Sequence, residues 1–96
     1  MAQLRVVAQL TTKPGSEEMI RAALARLAAA TQSHRGCVEF KLYESATAPG
    51  TFVTVETWES QDDHDSHMKT EDIAAALAAC EGHVVGDITI HPLQPV

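Results

Sequence analysis

The run Thr51 to Glu59, Thr-Phe-Val-Thr-Val-Glu-Thr-Trp-Glu, constrains the fold more than any other part of the chain. Its β-branched and aromatic residues favour an extended strand. Alternation then sets Phe52, Thr54, Glu56 and Trp58 on one face and Val53, Val55 and Thr57 on the other. Apolar groups stand on both faces, so a sheet built around this strand needs cover on two sides. A chain of 96 residues has room for one core. Its own helices are expected to cover one face and a second copy of the chain the other, which predicts a homodimer.

The remaining segments supply the neighbours. Cys37 to Ser45 alternates in the same way, with Val38, Phe40 and Leu42 opposite Cys37, Glu39, Lys41 and Tyr43. The Pro49-Gly50 pair between the two runs signals a turn, so they read as an antiparallel hairpin. Gln3 to Thr12 sets Leu4, Val6, Ala8 and Leu10 against Arg5, Val7, Gln9 and Thr11, and Lys13-Pro14-Gly15 ends it. His83 to Pro92 alternates again, with Val84, Gly86, Ile88 and Ile90 on one face.

Two stretches have helical spacing instead. Ser16 is placed to cap the first, Glu17 and Glu18 suit its positive end, and Met19, Ile20, Ala23, Leu24, Leu27 and Ala28 form an apolar stripe. His34 and Arg35 fall near its negative end, and Gly36 is expected to close it. Ser60 and Asp63 resemble a capping box that opens a short helix holding His64, His67 and Met68. Thr70 can cap a second piece with Ile73, Ala74, Leu77 and Cys80 on one stripe, ended by Gly82. The order strand, helix, strand, strand, broken helix, strand predicts an α+β fold of one domain over residues 1–96: an antiparallel sheet with helices on one face.

Charge and cysteine usage exclude several classes. With a net charge of −6 and seven scattered Lys and Arg residues, the chain has no footprint for nucleic acid or an acidic membrane surface. Cys37 and Cys80 have neither the spacing of a zinc site nor that of a redox pair, and both are expected reduced. No basic segment followed by an apolar stretch opens the sequence, and nothing later approaches a membrane span, so the cytoplasm is the expected compartment.

The segment Phe52-Val-Thr-Val-Glu56-Thr-Trp58-Glu-Ser60, followed by His67, resembles the signature of the antibiotic biosynthesis monooxygenase family. Gly36, Cys37, Tyr43, Ser45 and the strand ending in Lys13-Pro14-Gly15 match that family as well, so the resemblance covers essentially the whole chain. It implies a ferredoxin-like βαββαβ protomer that pairs sheet against sheet into a dimeric α+β barrel, with a pocket between sheet and helices. It also implies a cofactor-independent oxygenase acting on a quinol-like, phenolic or polycyclic aromatic molecule with molecular oxygen. Such chemistry asks little of a protein: a base, an orienting donor and dry apolar walls around an electron-rich substrate.

His67 is the first candidate for the base, since imidazole titrates near neutrality; the competing reading is a solvent-facing His on an acidic helix. Trp58 is the second catalytic candidate, stacking on an aromatic substrate, or else it is plain core packing. Glu56, Phe52 and Tyr43 are the expected substrate contacts. For Glu56 a structural role comes first, its carboxylate being paired with Lys41 or Arg5 across the sheet. Tyr43 is equally compatible with holding a substrate oxygen or filling the barrel. His64 and His67 share a helical face, but no third ligand is well placed, so no metal is expected; no cofactor motif is present either. Family members that degrade haem carry an Asn on the first strand, and this chain contains no Asn. Two further classes stay open: an isomerase or cyclase that uses the same base without oxygen, and a small-molecule-binding dimer without catalysis.

Overall fold

A computed structural model describes residues 3–96. The elements run β1 (Leu4–Thr12), α1 (Glu17–Thr31), β2 (Cys37–Glu44), β3 (Thr51–Trp58), α2 (Gln61–Met68), α3 (Glu71–Cys80) and β4 (Val84–Leu93). All strand pairs are antiparallel, in the order β2-β3-β1-β4, and the helices lie against one face. This is the ferredoxin-like α+β arrangement, with β3 and β1 at the centre.

Register decides which side chains meet. Trp58 lies opposite Leu4 and Cys37, Glu56 opposite Val6 and Phe40, Thr54 opposite Ala8 and Leu42, and Phe52 opposite Leu10. These residues share the face beneath the helices. Val7, Val53, Val55, Lys41 and Tyr43 occupy the other face. The pairing slips between Cys37 and Glu39, and this bulge reverses the phase at the start of β2. Cys37 therefore joins the buried side while Val38, expected to share a face with Phe40 and Leu42, is 48% exposed.

The core splits into two clusters. One gathers Val6, Leu27, Phe40, Trp58, Ile73 and Ala76; the other gathers Leu10, Ile20, Leu24, Phe52 and Cys80. Both draw on β1, β3, α1 and α3, so the space between the clusters is bounded by sheet below and by helices above.

Local chemistry explains the helix ends. Ser60 Oγ accepts from the Asp63 backbone N–H and donates to the Asp63 carboxylate, and Thr70 Oγ1 accepts from the Ile73 N–H, so α2 and α3 start where their caps dictate. Ser16 stands at the start of α1, but its hydroxyl pairs with His83 Nδ1 at 2.9 Å and caps no backbone group. Helix α1 stops at Thr31, earlier than Gly36. The residues between form a turn that carries His34 clear of the helix axis, and Gly36, at φ +76°, instead launches β2.

Gly36 also lies flush against α2: a Cβ there would overlap the Asp63 side chain, which is held by Arg35 and Ser60. Gly15 has a similar φ of +92° with open space around it. Gly36→Ala is therefore expected to cost about 2–3 kcal/mol, and Gly15→Ala only the left-handed penalty of about 1–2 kcal/mol. Urea unfolding of the two variants measures the difference, and equal losses would mean that Asp63 moves aside freely.

Candidate active site

Glu56 is 4% exposed, in the centre of the sheet and facing the helices. A carboxylate in that position needs donors. They come from its own strand face: Thr54 Oγ1 donates to Oε2 at 2.7 Å and the Trp58 indole N–H donates to Oε1 at 2.9 Å. The cross-strand cations expected from the sequence play no part. Lys41 lies 3.5 Å from Glu39 instead, and Arg5 sits on the opposite face beside Thr57. Neutral donors two residues to either side thus satisfy the carboxyl oxygens with no Lys or Arg beside them.

Trp58 is fully buried, and α2 rests on it through two histidines. Its ring lies 4.6 Å from that of His67 and 5.8 Å from that of His64, centroid to centroid. These histidines are the two buried residues of α2, at 4% and 2% exposed. The segment Asp62 to His67 is therefore no solvated acidic run: its carboxylates face out and its imidazoles face in. In the sequence His64 stands out only as a metal ligand sharing a helical face with His67, and the flanking Asp residues point to a solvated run and not to a buried polar-aromatic stripe.

The space between the two core clusters is a cavity of about 80 Å³. On the same measure a single water needs about 10–15 Å³, so there is room for a small organic molecule. Its walls are apolar, with Leu24, Leu27, Phe40, Phe52 and Ile73 prominent, and Leu77 and Ile90, both partly exposed, lie toward solvent. The polar groups Thr54, Glu56, His64 and His67 line it from β3 and α2.

Of the residues singled out in the sequence, the structure brings together His67, Glu56 and Phe52 in the cavity wall. Trp58 stands behind the histidines, its N–H already committed to Glu56, so it supports the site and does not face it. Tyr43 is not part of this arrangement: it is 51% exposed, opposite Val53 on the far side of the sheet.

Two observations bear on chemistry. Both ring nitrogens of His64 are buried without a hydrogen-bond partner among the described residues, and Nε2 stands 4.0 Å from Glu56 Oε1. A buried polar group in that state is free to bond to water or to a bound molecule. His67 has Nδ1 2.8 Å from Nδ1 of His34, which leaves Nε2 as the nitrogen able to serve the cavity. Burial first, and then the neighbouring His34 and His64 rings, push His67 down to about 4, with Asp72 opposing them. The imidazole is neutral at pH 7 and has a lone pair available. Among the described residues no three His, Cys, Asp or Glu side chains come together as a metal site.

The comparisons with known proteins agree with this architecture. The family model for antibiotic biosynthesis monooxygenase matches residues 3–79. Among solved structures, one described as an antibiotic biosynthesis monooxygenase shares 26% identity at a TM-score of 0.90, covering 97% of this chain and 98% of that one. Rv0793 from Mycobacterium tuberculosis superposes at TM-score 0.90 with 24% identity over 99% of this chain and 96% of its own. PA3566 from Pseudomonas aeruginosa gives 0.90 and 22% over 100% and 96%. The last two likenesses speak to the fold alone. No curated protein matches the sequence.

The low value at His67 has a consequence for stability. Because the folded-state value lies below the unfolded one, the unfolded chain takes up a proton that the native chain refuses between pH 6.5 and about 4, and stability falls as pH drops through that window. At 1.36 kcal/mol per unit, this amounts to about 3 kcal/mol for a fully buried ring. Unfolding free energies at pH 7 and pH 4.5 are expected to differ less in His67→Gln than in the wild type. An identical pH dependence in both would show that His67 protonates normally in the native state.

With the fold, the match over residues 3–79 and the site geometry in agreement, the chain belongs to the antibiotic biosynthesis monooxygenase family.

Proposed function

We propose that the protein is a cofactor-independent monooxygenase that oxidises a small phenolic or quinol-like molecule with molecular oxygen, with His67 as the base. The observation that carries this reading is a neutral imidazole, His67, facing a mostly apolar cavity beside the unpartnered ring of His64. A phenol matches such a site: its ring suits the apolar walls, and its oxygen suits the histidines. The volume of about 80 Å³ favours one ring over a polycycle.

The chemistry balances without a resident redox group. His67 Nε2 takes the phenolic proton, and the electron-rich phenolate reduces oxygen and bonds to it at a ring carbon. Proton return to the peroxide and loss of water leave a quinone, so that phenol plus oxygen gives quinone plus water. His64 can donate to the oxygen that gathers charge, and the Glu56–Trp58 pair keeps the α2 histidines in place. Free Cys37 and Cys80 agree with a reducing compartment such as the cytoplasm.

Oxygen uptake with a panel of substituted hydroquinones and phenols tests the reading. His67→Ala is expected to lower kcat roughly 10²-fold or more, and Tyr43→Phe to leave it unchanged. Turnover of a carbonyl substrate without oxygen, with solvent hydrogen exchanged into it, would instead favour an isomerase using the same base. No turnover with any substrate would leave a binding dimer.

The protomer leaves Val38, Tyr43, Val85 and Leu93 about half exposed on the sheet, next to Val7, Val53 and Val55. No helix among the described residues covers that face, and a second copy packed sheet to sheet fits it. The wild type is expected to sediment as a dimer, with Val55→Lys shifting it toward monomer. A monomeric wild type at tens of micromolar would remove the homodimer.

A further inference from the structure

His34 lies outside the cavity, and the chemistry proposed above makes no use of it, yet it joins two groups that do not touch each other. Its Nδ1 is 2.8 Å from Nδ1 of His67 and its Nε2 is 2.8 Å from Oδ2 of Asp72. Exposure rises along the series: His67 is 2% exposed, the His34 side chain 12% and the Asp72 side chain 48%. The three side chains come from α2, from the turn after α1 and from the first turn of α3. They form one continuous hydrogen-bonded path from the histidine wall of the cavity to solvent.

The hydrogens on this path have a fixed direction. An ionised carboxylate only accepts, so the His34 nitrogen facing Asp72 carries a hydrogen. A neutral His34 then has its lone pair on Nδ1. His67 must donate to it from its own Nδ1, which puts the His67 lone pair on Nε2. One exposed carboxylate thereby sets the tautomer of a buried ring two groups away.

We propose that Asp72 and His34 are a proton relay that holds His67 in its base-competent tautomer and carries protons between cavity and solvent. The inference rests on the reading of His67 as the base. When a substrate O–H gives its proton to Nε2 of His67, its bonding electron pair stays on the substrate oxygen. The Nδ1 proton of His67 passes to Nδ1 of His34. His67 is again neutral, now with the hydrogen on Nε2, and the positive charge rests on His34 beside the Asp72 carboxylate. The proton then leaves from His34 Nε2 to Asp72 and water, or returns by the same steps to a peroxide oxygen. The relay thus removes the positive charge from a ring that burial keeps neutral.

The other charged or titratable groups near His67 do not offer a competing route. His64 stacks beside it at 5.9 Å between centroids without a hydrogen bond to it, Glu56 is held by Thr54 and Trp58, and Asp63 is paired with Arg35. His34 and Asp72 touch no substrate and act as positioning residues.

The test uses the full chain with ¹⁵N-labelled histidine. At pH 7 the wild type is expected to show hydrogen on Nδ1 of His67 and on Nε2 of His34. In Asp72→Asn the new amide either donates or accepts, so His67 is expected to populate both tautomers, with kcat for oxygen uptake falling at least roughly tenfold at unchanged KM. Glu71→Gln removes the same charge from the same helical turn without touching His34 and is expected to alter neither readout. Hydrogen on Nε2 of His67 in the wild type, or a His67 tautomer indifferent to Asp72→Asn, would overturn the relay. A wild type with the expected tautomers that consumes no oxygen would refute the oxygenase reading and leave the relay supported.

Discussion

A carboxylate buried in the middle of a sheet is the constraint on which the rest of this structure turns. Glu56 sits among Val6, Phe40 and Trp58, where an unmet charge would cost several kcal/mol, and the fold meets it with donors two residues to either side on the same strand. That solution fixes the indole of Trp58, since its N–H has one permitted direction. The fixed indole then forms the floor on which α2 lands, and α2 brings His64 and His67 to the cavity. Strand, indole, helix and imidazoles are links of one chain of dependence.

The pattern of elements could be read from the residues because it rests on local rules. Alternation in β1, β2, β3 and β4, the apolar stripe of α1 and the caps at Ser60 and Thr70 all act over a few residues. Two-sided apolarity in β3 was equally legible, and it put Val53 and Val55 on the face without helices. The misreadings came where one element borrows from another. The bulge at Cys37 reversed Val38, Gly36 leads into β2 against Asp63 of α2 and does not close α1, and Ser16 gave its hydroxyl to His83, 67 residues away.

The site divides along the same line. His67 was visible as an imidazole on a short helix, though not the burial that takes it below the neutral range, and Glu56 as a group needing partners. The identity of those partners was not, because opposite charges across a sheet are the obvious guess and hydroxyl and indole donors along one strand are not. His34 looked like helix-end chemistry, and only the fold brings it to His67 across 33 residues and to Asp72 across 38. Tyr43, which the sequence leaves open between a substrate contact and barrel filling, stands outside the cavity on the face without helices, where period-two alternation puts it. Family likeness gave the architecture; the placement of individual side chains came from register and packing.

Helix α2 is eight residues long, and its two fully buried side chains are the histidines themselves. Most helices are glued down by aliphatic residues that chemistry never uses, so their active-site positions can drift while the glue stays. Here adhesion and the proposed chemistry share the same two rings. On the proposed chemistry, substituting either one loosens the helix as it removes a working group, and replacing both with leucines would secure the helix and silence the site. Evolution of this segment therefore faces a narrow choice between an anchored helix without function and a functional one attached by polar rings.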